Sequence, residues 1–136
     1  MCPVHSPTYR NGGDQGFTLV ELLVTVLIVG VLASIALPVY LKLADVAREA
    51  STKADLANAK HAAAAYYSAD NDAAEPDTST LAELGWTRSD DTLSPGPHFQ
   101  GTPTADDFCL TATSSSGKTF FLRSNGALGT TAATCG

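Results

Sequence analysis

One carboxylate stands at the edge of the most apolar stretch of this chain. Glu21 is followed by residues 22 to 41, "LLVTVLIVGVLASIALPVYL", which carry no charge at all. A carboxylate at mid-bilayer costs about 2.5–3.5 kcal/mol on insertion scales, and less near an interface. An acid in this position either reaches the headgroups or neutralises a partner. One helical turn earlier sits Phe17, preceded by Gly16. Residues of these types at this spacing form no catalytic set.

The other reactive residues do not converge on a site. Cys109 and Cys135 lie in the polar C-terminal part, while Cys2 lies on the other side of the apolar run. If that run spans a membrane, Cys109 and Cys135 can pair in an oxidising compartment while Cys2 stays reduced behind it. Cys2 and His5 form a lone C-x-x-H, too little for zinc. Asp70, Asp72, Glu75 and Asp77 lack the spacing and glycine of an EF-hand loop and read as a solvated loop. His61 is expected to pack in a core and His98 to lie in an exposed loop. Ser, His and Asp occur without a catalytic motif, so no enzyme, metal or cofactor is expected. The net charge of −6 and the scattered basic residues argue against a nucleic-acid surface.

The elements that must position Glu21 follow from periodicity. Twenty helical residues span roughly 30 Å, the thickness of the hydrocarbon core. A cleaved conventional signal fits poorly: the segment before the run has only Arg10 as a basic residue, and helix-forming sequence continues past the small-residue "ASIA" at 33–36. Residues 42 to 69 contain no Gly or Pro and are rich in alanine. Leu43, Val46, Ala47, Ala50, Ala54, Ala57, His61 and Ala64 recur at three and four, predicting the buried face of an amphipathic helix. Glu49 and Lys53 are spaced for an i, i+4 ion pair. One helix is therefore expected from about 17 to 69, apolar all round in its first half.

"DNDAAEPDTST" at 70–80 ends that helix. "TSTLAELGW" predicts a short helix capped by Thr80, with Glu83 three residues on and Gly85 at its end. "DFCLTAT", with apolar and polar residues alternating, and "KTFFLRS" predict a hairpin across "SSSG"; "NGAL" offers a further turn, and a short strand fits around Phe99. The fold class is α+β: a long N-terminal helix packed on a small antiparallel sheet. A disulfide closing a loop of about 25 residues adds about 3–4 kcal/mol to so small a head.

The segment "GFTLVELLVTVLIVGVLASIALPVY" resembles the N-terminus of type IV pilins and pilin-like proteins. Gly16, Phe17, Thr18, Leu19, Glu21, the apolar run, Gly30, Pro38 and Tyr40 carry the resemblance. It implies a prepilin peptidase that cuts between Gly16 and Phe17 and methylates the amine of Phe17. Residues 1–16 would then be the leader, 17–41 the membrane and assembly half of the helix, 42–69 its amphipathic half, and 70–136 the head. It further implies that Glu21 pairs with the Phe17 amine of an adjacent subunit, and that Gly30 and Pro38 let the helix loosen on assembly. The Cys109–Cys135 segment is similar to the family's disulfide-bounded region. Two features depart from the pattern. "GGDQG" before the cut is acidic rather than basic, and the cations Lys42, Arg48, Lys53 and Lys60 flank the far side of the run. Charge bias alone would put the head in the cytoplasm; the motif and the cysteine pair ask for the opposite.

The expected function is that of a structural subunit of a type IV pilus. It would wait in the cytoplasmic membrane with its head outside, and assemble into an extracellular homo-oligomeric filament. Its partners would be the prepilin peptidase and the assembly platform with its ATPase. The alternatives are a pseudopilin of a type II secretion or DNA-uptake machine, and a membrane-anchored binding module that never polymerises and keeps its Gly16–Phe17 bond.

Overall fold

The computed structural model describes residues 16–135. The expectations for the leader, Cys2, His5 and Asp14 lie outside these residues. Two compact units divide the chain, Met1–Pro38 and Val39–Gly136. Helix α1 runs from Leu19 to Ala69 and contains Pro38 in its interior.

In the first unit the helix is bare. Its described residues, 16 to 38, are all exposed, as are 39 to 43 beyond them, and the exposed set includes Leu22, Leu23, Ile28 and Leu32. Among the described residues, one helix is long and apolar enough to cross a membrane; its best window has a mean hydropathy of 2.7. An apolar surface of this extent needs lipid or protein against it.

The second unit is the head. Helix α2 covers Thr78–Glu83. A four-stranded antiparallel sheet follows in sequence order, with β1 at His98–Phe99, β2 at Cys109–Thr113, β3 at Thr119–Arg123 and β4 at Leu128–Gly129. A 3-10 turn at Ala132–Thr134 precedes Cys135. The fold class is α+β, as the patterning predicts. The hairpin register pairs Leu110 with Leu122 and Ala112 with Phe120, so these four share one face. They meet Leu56, Ala59, Ala62, Ala63 and Tyr67 of α1, with Leu81, Trp86, Phe99 and Phe108 closing the core.

Four local expectations are corrected. The buried face of α1 carries Thr52, Asp55, Leu56, Ala59, Ala62, Ala63 and Tyr67, offset by two residues, or about 200°, from the face the alanine spacing predicts. Ala54, Ala64 and His61 are exposed. Alanines surround this helix, so their spacing selects no side; Leu56 and Tyr67, three turns apart, do. Glu49 and Lys53 do not pair. Lys118 takes Glu49 at 2.7 Å, and the Lys53 ammonium sits 4.8 Å from the centre of the Phe120 ring, so the sheet claims both. The cap of α2 is Asp77, not Thr80: its carboxylate accepts from the Thr80 N–H at 2.7 Å. Burial alternates along β3 rather than β2, whose Cys109 to Ala112 are all buried. β2 is therefore covered on both faces, and its disulfide to Cys135 joins it to the residue after the C-terminal turn.

Candidate functional site

The start of α1 is built from its own first turn. Thr18 stands just before the helix, and its carbonyl accepts the first helical hydrogen bond, from the Leu22 N–H at 3.2 Å. The Thr18 hydroxyl accepts from the Glu21 N–H at 3.2 Å. The Glu21 carboxylate returns the contact. Its Oε2 accepts from the Thr18 N–H at 3.3 Å and from the Thr18 hydroxyl at 3.2 Å. This reciprocal arrangement is a capping box, satisfying two backbone donors that the helix cannot. The carboxylate also lies in the first turn, where the macrodipole favours negative charge.

Gly16, Phe17, Thr18 and Glu21 together line an open cleft of about 320 Å³. Phe17 is 83% exposed, and among the described residues no atom beyond its chain neighbours lies within 4 Å of where a Cβ on Gly16 would stand. The Gly16–Phe17 bond is thus open to approach, with the acid beside it. Gly30 likewise has nothing near its missing Cβ, so no packing within the chain requires a glycine there. The structure brings Gly16, Phe17 and Glu21 together, and leaves Gly30 and Pro38 further along the helix. Sequence reasoning names Thr18 only as part of the resemblance and misses its role as the cap. The signal for it is T-x-x-E immediately before an apolar run.

In the head, Cys109 and Cys135 are joined, with their Cα atoms 5.5 Å apart. Beside them Arg123, opposite Cys109 in the sheet, donates to both carboxylate oxygens of Asp107 at 2.9 and 2.7 Å. This fork holds the Asp107 carboxyl below its ordinary pKa and the guanidinium above its own. The buried acid of the head, Asp55, is 6% exposed. Its Oδ2 accepts from the Ser89 N–H at 2.9 Å, the Ser89 hydroxyl at 2.7 Å and the Thr92 hydroxyl at 2.6 Å. The Trp86 indole N–H donates to its carbonyl at 3.1 Å. These bonds join α1 to the segment between α2 and β1. His61 lies with Lys60, Asp106 and Asn125 on an open groove of about 430 Å³. No group of three or more His, Cys, Asp or Glu placed to hold a metal occurs among the described residues.

The start of α1 and most of its apolar half fall within a known sequence motif. The prokaryotic N-terminal methylation motif matches residues 12–37. This segment is a type IV pilin-like prepilin signal. No curated protein and no solved structure matches the chain. The matched segment takes in the cleft residues, Glu21 and most of the apolar half of α1. With the membrane-capable helix it fits a membrane-anchored precursor, handled by prepilin peptidase and pilus-like assembly machinery in general.

Proposed function

We propose that this protein is a structural subunit of a type IV pilus, cut between Gly16 and Phe17, N-methylated on Phe17, and assembled through α1 into an extracellular filament. The observation that carries the reading is the methylation motif laid over a helix start that already presents Glu21 beside the Gly16–Phe17 bond. Cutting there leaves an ammonium on Phe17. In a filament that charge leaves the headgroups for an apolar interior, where an unpaired ion costs several kcal/mol. The Glu21 carboxylate of the adjoining subunit offsets both desolvation costs at once. The bare surface of residues 16–43 supplies the apolar contact area, and the acidic head, held by its disulfide, coats the fibre.

Mass spectrometry of the exported protein tests the first step: it should begin at Phe17 and carry one extra methyl group. A chain beginning at Met1 would leave only a membrane-anchored module. Glu21→Ala tests the second step. That variant should be cut as before and fail to enter filaments, since removing one member of a buried pair costs about 3–5 kcal/mol. An unchanged filament yield would overturn the pairing.

A further inference from the structure

We propose that Thr18 is a positioning residue for Glu21, holding one carboxylate oxygen at the helix start so that the other is free and aimed to receive an ammonium. The inference rests on the pairing role given to Glu21 above and adds to it a second side chain.

The two oxygens of Glu21 are not equivalent. Oε2 is occupied by the Thr18 N–H and the Thr18 hydroxyl, at 3.3 and 3.2 Å. Oε1 takes no hydrogen bond among the described residues. A carboxylate has about four acceptor positions, so an ammonium can bind on Oε1 without breaking the capping box. The hydroxyl is used in both directions, donating to Oε2 while accepting from the Glu21 N–H at 3.2 Å. That double use fixes the glutamate side chain relative to its own backbone. A free glutamate at this exposed position would have to be ordered when the partner arrives, and ordering a long side chain opposes binding. Here the order exists beforehand. Gly16, Phe17, Thr18 and Glu21 line one open cleft, and Glu21 is itself exposed.

A simple helix cap is the competing role, and the choice of variants separates the two. Thr18→Gly keeps a serviceable cap, because glycine at this position loses only a few tenths of a kcal/mol of helix stability, but it has no hydroxyl to hold Oε2. Thr18→Val has the shape of threonine and neither function. Thr18→Ser retains both. In cells that carry the processing and assembly machinery, sheared filaments would be weighed against membrane-held protein for each full-length variant. The N-terminal mass would be read on both fractions.

Positioning predicts that Val and Gly are both cut at Phe17, that both lose filament yield by about tenfold, the worth of one charge-assisted hydrogen bond, and that Ser restores it. A Gly variant that assembles like the unchanged chain while Val does not would reduce Thr18 to a cap and overturn the proposal. So would a Val variant with full yield. An unchanged chain that is never cut at Gly16–Phe17 would instead remove the reading of function on which the proposal stands, and the mass spectrum shows which of the two has failed.

Discussion

Replacing Asp55 by alanine should cost the head about 3 kcal/mol. The figure follows from what the carboxylate leaves behind. Thr92 is 3% exposed, and its hydroxyl spends its proton on Asp55 Oδ2 at 2.6 Å. Deleting the acceptor strands that donor, a loss of about 1–3 kcal/mol. The two Ser89 donors are half-buried and regain water, so together they add only about 1 kcal/mol. For a unit of roughly 100 residues each kcal/mol moves the melting point by about 4–5 °C, so Tm should fall by roughly 12–15 °C. Asp55→Asn keeps an acceptor and loses the charge, and should fall by about a third as much. The assay is thermal unfolding of the detergent-solubilised chain followed by the fluorescence of Trp86, its single tryptophan. That indole donates to the Asp55 carbonyl at 3.1 Å and reports on the same joint. In a Thr92→Val background the same Asp55→Ala change should cost clearly less, because no hydroxyl is then stranded. A shift under about 4 °C for Asp55→Ala, or equal shifts in the two backgrounds, would refute the reasoning and mean that water replaces the carboxylate.

Two further outcomes test the head. Ala59 is fully buried and Ala54 exposed, so Ala59→Leu should overpack the core and lower stability by about 1–3 kcal/mol. Ala54→Leu should be nearly neutral by the same melt; the reverse order would restore the helix face that the alanine spacing suggests. The carboxyl of Asp77 is held down to about 2 by the backbone and side-chain hydrogen bonds of Thr80 and the side chain of Ser79. Its folded pKa lies below the unfolded value of about 3.9, so the contribution of the cap is fully present above that value. It is lost as pH falls through about 2. A carboxyl-carbon NMR titration of Asp77 should show its midpoint near 2, and a midpoint close to 4 would contradict the cap.

The features legible in the chain were those carried by neighbouring residues. The β-type residues of "DFCLTAT" and "KTFFLRS" on either side of "SSSG" located the hairpin, because a strand and its turn are encoded within about ten residues, although the alternation expected in the first strand falls in the second. Hydropathy located the span. The capping box at Thr18 and Glu21 is equally local and is readable as T-x-x-E. The cap of α2 was misplaced by three residues, because Asp77, Ser79 and Thr80 are all competent capping types and only the backbone conformation chooses among them.

The amino-acid sequence by itself determined the signal and the span: a glycine just before Phe17, a lone acid four residues beyond Phe17, and an uncharged run long enough for a bilayer. Peptidases and lipid meet these as linear features, so no folding is needed to define them. Tertiary structure alone decided which side of α1 is buried, where Glu49 and Lys53 find their partners, and what satisfies Asp55. The partners of Glu49, Lys53 and Asp55 all lie more than 30 positions away along the chain. An alanine-rich helix has nearly the same surface on every side, so its own sequence holds no preference strong enough to select a face; the sheet and the segment before it make that selection when they pack.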